Sequence, residues 1–424
     1  MISFIKETRL NVKMSFNILL LQIVSFLDMF AVALIIPLVT THVRTLGAGH
    51  IYVGILGAIY PACQLVSGPM IGSLSDLKGR RMVLFMTLLL CAVCQTFLGF
   101  INSLCFILIV RGILGLFKQT DVLTKALVPD YETNKKKQSE IFGKIAAMSG
   151  IGMIVGPFVG GHLAEGFPEH VLPLVAIIVG GCFSISAGLV YLLPNSKHDE
   201  KQESKKLTSK KNSSTTVIQI VLNVCKETVL ELFKINWSKY GTIFLFVVLL
   251  DFTILLHFSN YVYYLKSTYG LTPKSIGYII SLKGLIRSMS SYLIGFINSY
   301  YTKDKKFRTR NAHAFLATSM SMLGFIFSFN IYIYVIFMIP LGISEAVAKL
   351  VFLEMVLKRG LGEHRSTLIG ATNSVRSMSG VIAPIVSGVI AQYLGVPFVI
   401  YVAFFISLLG SLISYRHTNI VKED

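Results

Sequence analysis

The stretch GSLSDLKGRR, residues 72–81, lies between two long apolar runs of the chain. Glycine allows close backbone approach, and an aspartate can cap a helix N-terminus or bind an arginine, so the stretch predicts a tight turn. A basic loop at a membrane surface would account for its two arginines. It would not account for Gly72, Asp76 and Gly79 at this spacing, which indicates a turn with a structure of its own.

The composition of the chain favours a membrane protein. Of its 424 residues, 54% are hydrophobic and only 14% are charged, against about 25% charged residues in an ordinary soluble protein. A core could not hide this much apolar surface, because about 55–60% of a soluble protein's surface is apolar already. Soluble enzymes, disordered proteins and secreted disulfide scaffolds are therefore excluded, and a polytopic membrane protein remains.

Apolar runs long enough to cross a bilayer predict twelve spans. A span needs about 20 residues, and the predicted spans are 16–39, 51–74, 82–101, 104–124, 141–164, 172–193, 240–264, 276–299, 312–328, 331–353, 366–393 and 397–415. The loops alternate between nearly uncharged and basic, so the positive-inside rule places the basic loops and both termini in the cytoplasm. Topology thus explains the net charge of +18, and nucleic-acid binding is excluded because no folded basic module carries it.

The spans divide into two groups of six that look like copies. A Lys/Glu/Ser-rich segment, residues 194–239, predicts a cytoplasmic linker between an N-terminal bundle (1–193) and a C-terminal bundle (240–424). "VSFLDMFAV" at 24–32 aligns with "VVLLDFTIL" at 247–255, and "GPFVGGHLA" at 156–164 aligns with "APIVSGVIA" at 383–391. Both matches run in the same sense, as a parallel repeat about an axis along the membrane normal requires.

Three motifs in order give the chain a family resemblance. Residues 72–81 resemble the G-x-L-x-D-x-x-G-R-R motif of the major facilitator superfamily, and Arg111-Gly112-x-x-Gly115 is similar to its span-four arginine motif. The glycines of span five resemble the motif of the drug:proton antiporter branch. The resemblance implies an all-α membrane protein of twelve helices in two six-helix bundles, which transports by rocking the bundles around a midplane site.

The second half departs from this pattern. Ser299 replaces the aspartate of the loop motif and no Gly-Arg-Arg follows, while Ala383 replaces the first glycine of the span-five motif. This asymmetry argues against the expectation that both halves gate alike. Whatever the family, the span-five glycines predict close packing against another helix, because small residues let helix backbones approach each other in lipid.

Charged residues inside the predicted spans are the strongest candidates for function. A central charge costs at least about 2.5–3.5 kcal/mol, so these residues should face a wet cavity or one another: Asp28, Arg111, Asp251, Lys283, Arg287, Glu345, Lys349 and Arg376. The resemblance implies that spans one, four, seven and ten line the central cavity.

Structural alternatives remain open for several of these charges. Glu345 and Lys349 are spaced for a pair within one helix. Lys283 and Arg287 require a carboxylate from another helix or an anionic ligand. Asp28 fits either proton coupling and substrate binding or an interhelical bond.

The sequence thus predicts a secondary active transporter of a small organic solute, coupled to protons, monomeric and embedded in the bilayer of the plasma or endolysosomal membrane. An uncoupled facilitator and a transporter-like receptor or scaffold are the alternatives. We expect no enzyme activity, cofactor or metal site. The predicted coupling or substrate residues are Asp28, Arg111, Asp251, Arg287, Glu345 and Arg376; the gating loop has Gly72, Asp76, Gly79, Arg80 and Arg81; the span-five motif has Gly152, Gly156, Pro157, Gly160 and Gly161.

Overall fold

The computed structural model describes residues 2–194, 237–301, 304, 307–359 and 365–416. All the regular secondary structure within these ranges is helical, which confirms the prediction of an all-α protein. The helices are α1 (Ile2–Thr45), α2 (His50–Lys78), α3 (Arg80–Leu98), α4 (Leu104–Phe117), α5 (Thr120–Tyr131), α6 (Lys135–Gly166), α7 (Val171–Tyr191), α8 (Trp237–Ser259), α9 (Tyr261–Tyr269), α10 (Pro273–Tyr292), α11 (Ile294–Ser299), α12 (Arg308–Ile326), α13 (Ile331–Arg359), α14 (Arg365–Tyr393) and α15 (Val396–Arg416).

Within the described ranges, nine helices are long and apolar enough to cross a membrane. They are α1, α2, α3, α6, α7, α8, α13, α14 and α15. The other predicted spans fall on α4 with α5, on α10 with α11, and on α12. Span four was expected to be continuous over 104–124, but the structure breaks it between Phe117 and Thr120. The count of twelve spans stays a prediction.

The apolar faces of these helices point outward as a lipid environment requires. On α3 the residues Met82, Met86, Val93 and Phe97 are all more than half exposed and lie four or seven positions apart along one face. The opposite face of the same helix buries Leu84 and packs against α7. A helix that exposes large apolar side chains on one face and buries its other face against protein is typical of a membrane bundle.

The described contacts divide the chain into two compact units. The first unit comprises residues 1–39 and 66–228, and the second comprises residues 40–65 and 229–424. The end of α1 and the first half of α2 therefore belong to the second unit. The predicted linker, residues 194–239, lies outside the described residues except for its two ends.

Glycines of α6 bring that helix into direct contact with α1 in the first unit. A Cβ atom added at Gly152 would lie 2.6 Å from the Phe26 carbonyl oxygen, and one at Gly156 would lie 2.7 Å from that of Phe30. Any larger side chain at these positions would push the helix backbones apart. Such backbone contact through small residues is how helices associate in lipid.

A comparable close approach joins α2 to α14 in the second unit. A Cβ atom added at Gly54 would clash with the Pro384 carbonyl oxygen, and one at Gly388 would lie 2.6 Å from that of His50. The backbone N–H of His50 also donates to Gln392 Oε1 at 2.9 Å. These contacts attach the first half of α2 firmly to the second unit.

Candidate functional site

The gating-loop motif forms a charged turn between α2 and α3. Arg80 donates to Asp76 Oδ1 through Nη2 at 3.1 Å, and to the Ala126 carbonyl oxygen through Nη1 at 2.8 Å. Asp130, near the end of α5, lies 3.5 Å from the same Nη1. One guanidinium thus joins the loop to α5, which the loop sequence alone did not reveal.

The other residues of the motif have separate structural roles. Gly79 has a φ of +95° and separates the two helices, so the turn needs a residue without a Cβ here. Gly72 has open space where its Cβ would lie, and the close approach expected there is not found. Arg81 donates to the carbonyl oxygens of Val190 and Tyr191 at the end of α7, where a cation also complements the helix dipole.

Asp28 of α1 forms a buried ion pair with Lys118 in the first unit. Lys118 Nζ lies 2.9 Å from Asp28 Oδ2, and the two side chains are only 7% and 2% exposed. The other carboxylate oxygen, Oδ1, has no hydrogen-bond partner among the described residues. The pair is therefore enclosed, and half of the carboxylate is unsatisfied.

Lys118 occupies the break between α4 and α5. Its backbone N–H still donates the helical hydrogen bond to the Leu114 carbonyl oxygen, but its ψ of 84° ends the helix. Next to it Gln119 donates to Ser67 Oγ at 3.0 Å, which fixes the break against α2. Lys118 was not among the predicted site residues, although a lysine within the apolar run of predicted span four was a sufficient signal. Arg111, predicted instead, is half-buried on α4.

Asp251 of α8 forms the corresponding pair in the second unit. It lies in the copy of the Asp28 segment, and its Oδ2 is 3.0 Å from Nε of Arg376 on α14. The two side chains are 13% and 34% exposed, so this pair is more open than the pair in the first unit. Both residues were predicted as site residues, and the structure brings them together.

Glu345 of α13 is the centre of a second group of charges. Its Oε1 lies 2.6 Å from Lys349 Nζ, one turn further along the helix, and 3.5 Å from Nε of Arg287 on α10. The pair within one helix is thus present, as one of the two alternatives predicted. Lys283 lies over the rings of Phe258 and Tyr261, at 4.2 and 5.4 Å from their centroids.

The two groups in the second unit act electrostatically as one set. Lys349 interacts with Asp251 as well as with Glu345, and Lys283 interacts with Glu345. Four of the predicted site residues therefore lie in one network, and Lys283 and Lys349 complete it. The other two, Asp28 and Arg111, belong to the first unit.

An arginine cluster in the second unit replaces the lost loop motif. Nη1 of Arg310, near the start of α12, lies 3.0 Å from Glu354 Oε2, and its backbone N–H donates to Asp304 at 2.7 Å. Asn298 accepts a further bond from the same guanidinium. The prediction that the two halves do not gate alike is not tested by this contact, although each unit places an arginine beside a carboxylate. The arginine comes from a different loop position, which sequence alignment does not detect.

These observations define the class of protein. The outward apolar helix faces, the close backbone packing through glycine and the buried ion pairs belong to a multi-pass integral membrane protein with a charged interior. The sequence matches the family model described as Major Facilitator Superfamily over residues 18–384, and the chain belongs to this family.

The sequence is similar to proteins that are named for resistance to quinolones and to tetracycline. Quinolone resistance protein NorA of Staphylococcus aureus (strain COL) is 23% identical over 94% of this chain and 96% of its own length. Tetracycline resistance protein, class D, of Salmonella ordonez is 30% identical over 43% of this chain and 48% of its own length. The chain matches less than half the length of the tetracycline resistance proteins compared.

A solved structure shares the fold over nearly the whole chain. It is a bacterial homologue of the human lysosomal transporter Spinster, in an inward-facing, unoccupied conformation. The TM-score is 0.76 at 12% identity, and the match covers 95% of this chain and 96% of the other. The predictions of the major facilitator fold, of an integral multi-pass membrane protein and of a transporter family rather than an enzyme are confirmed.

Proposed function

We propose that this protein is a secondary active transporter that moves a small organic solute by alternating access and couples this movement to protons at Asp28. The buried Asp28–Lys118 ion pair carries the proposal. Membership of the Major Facilitator Superfamily supports transport in general. The ion pair supplies a group whose protonation has structural consequences.

Protonation of Asp28 would remove the charge that compensates Lys118. A lone charge inside a membrane protein is costly, so the neutral acid and the lysine would separate unless water or another group took the place of the carboxylate. Lys118 sits at the break between α4 and α5, and its release would alter the contacts that hold this break. A proton and the conformation of the two helices are therefore linked, and such linkage is reciprocal.

The test begins with a solute. A thermal-shift screen of the purified protein, started with tetracycline and a quinolone because of the relatives' names, identifies compounds that bind the folded chain. A ligand at 100 times its Kd adds about 2.7 kcal/mol of stability. The compound found is then given to proteoliposomes with an imposed pH gradient, and solute and proton movements are measured together.

The decisive variant is Asp28→Asn, which preserves shape and removes the titratable group. We expect it to abolish gradient-driven accumulation while equilibrative movement of the solute persists. Asp121→Asn is the matched control, because Asp121 forms an exposed pair with Lys125 within one helix. Undiminished gradient-driven flux in Asp28→Asn would refute the role of Asp28. Equilibrative flux in the wild type would indicate a facilitator, and binding without flux a receptor.

A further inference from the structure

The charge network of the second unit contains more cations than carboxylates. Four cationic side chains meet two carboxylates, which leaves an excess of two positive charges: Lys283, Arg287, Lys349 and Arg376 against Asp251 and Glu345. The remaining acidic side chains described in this unit, Asp304 and Glu354, bind Arg310 instead. No described carboxylate of this unit is left to neutralise the excess.

Arg287 has the donors that an anion would need. Its Nε is 3.5 Å from Glu345 Oε1, longer than the 2.7–2.9 Å typical of charge-assisted bonds, and its side chain is 50% exposed. Glu345 is already bound at 2.6 Å by Lys349. The planar fork of a guanidinium matches a carboxylate or a phosphate in a bidentate geometry.

Lys283 packs against aromatic rings in addition to its electrostatic interaction with Glu345. Its Nζ lies 4.2 Å from the centroid of Phe258 and 5.4 Å from that of Tyr261. Cation–π contact stabilises an ammonium group without neutralising its charge. Lys283 lies four residues before Arg287 on α10, so the two cationic side chains are on the same side of the helix.

We propose that this network binds the anionic group of a small organic solute, a carboxylate or a phosphate, with Arg287 as its main contact. The inference rests on the proposed function and names the substrate class for it. An excess of charge within a membrane bundle is unfavourable, and a bound anion offsets it. Glu345 then competes with the ligand for Arg287 and Lys349, so ligand entry and release exchange one carboxylate for another.

The probes are pairs of compounds that differ mainly in charge. Glutarate and hexanoate are compared with glutaramide and hexanamide by thermal shift of the full chain in nanodiscs of phosphatidylcholine, a lipid without net charge. We expect the carboxylates to raise the melting temperature, glutarate more than hexanoate, and the amides to have no effect. Equal effects of acid and amide would overturn the proposal.

Two variants change the site in opposite directions. Arg287→Gln should weaken glutarate binding about tenfold or more, as the loss of a charged hydrogen bond predicts. Glu345→Gln should strengthen it, because it removes the competing carboxylate. Lys266→Gln is the control, since Lys266 is exposed at the end of α9 and lies outside the network. Weaker glutarate binding in Glu345→Gln, measured on folded protein, would contradict the assignment.

The source of the anion and the transport function are tested separately. Stabilisation by phosphatidylglycerol in the nanodisc, without any effect of the soluble carboxylates, would assign the site to lipid headgroups and overturn the proposal. Carboxylate binding without flux in vesicles would support the anion site and refute transport. Concentrative flux of an uncharged or cationic compound, with no carboxylate effect, would support transport and refute the anion site.

Discussion

Asp28 and Asp251 stand at matching places in the two halves of the sequence, but the structure gives them different surroundings. Asp28 is 2% exposed and faces a single lysine at a helix break. Asp251 is 13% exposed, and its partner Arg376 belongs to a wider group of charges. The first unit thus encloses a single buried ion pair. The second unit holds an open network with surplus positive charge, which suits a ligand.

The clusters around Arg80 and Arg310 differ in sequence but make similar contacts in the structure. Arg80 follows the family motif and contacts Asp130 at 3.5 Å, whereas Arg310 has no motif around it and contacts Glu354 at 3.0 Å. Asp130 and Glu354 are 224 positions apart, within the 223–227 offset of the repeated segments. The carboxylate has kept its place in the repeat, while the arginine that binds it comes from a different point in the loop.

The largest expected difference in stability is between variants of the Asp28–Lys118 pair and of the Asp251–Arg376 pair. Lys118→Ala leaves the buried carboxylate of Asp28 without its partner. It should lower the free energy of unfolding by about 3–5 kcal/mol. Arg376→Ala, at a more exposed pair, should lower it less. The measurement is equilibrium unfolding of the purified chain in mixed detergent micelles.

A double variant, Asp28→Asn with Lys118→Met, should recover most of the stability, since neither charge remains. Equal losses in Lys118→Ala and Arg376→Ala would show that enclosure does not distinguish the pairs.

An intermediate effect distinguishes the two arginine clusters. Arg310→Gln removes a guanidinium that is 8% exposed and should cost about 1.5–3 kcal/mol, as for hydrogen bonds to charged groups. Arg80→Gln removes one that is 22% exposed, beside the 59% exposed Asp76, and should cost less. Melting temperatures in one detergent compare the two. A greater loss in Arg80→Gln would mean that the motif, and not burial, determines the contribution to stability.

The smallest expected effect concerns the glycines of α6. Gly152→Ala places a Cβ 2.6 Å from the Phe26 carbonyl oxygen and should destabilise the first unit by about 1–3 kcal/mol through overpacking. Gly143→Ala in the same helix meets open space and should stabilise slightly, since alanine favours helix. The two melting temperatures should move in opposite directions. A neutral Gly152→Ala would contradict the close contact between α6 and α1.

Much of the fold follows from the sequence, because entry into lipid depends on local composition. Apolar runs located the helices, and the spacing of Gly152 and Gly156 predicted close helix packing. The motif at residues 72–81 indicated the family, and the repeat placed Asp28 and Asp251 in matching positions. Each of these properties lies within a short segment, so no knowledge of distant residues is needed.

The partner of each charge was decided only by the tertiary structure. Asp28 pairs with Lys118, at a helix break that its apolar run did not predict, and Arg310 reaches Glu354 from a loop that has lost the motif. A charge inside a bundle pairs with whichever opposite charge the packing of helix faces brings within hydrogen-bond distance. That packing depends on contacts between segments far apart in the chain, which spacing within one segment does not encode.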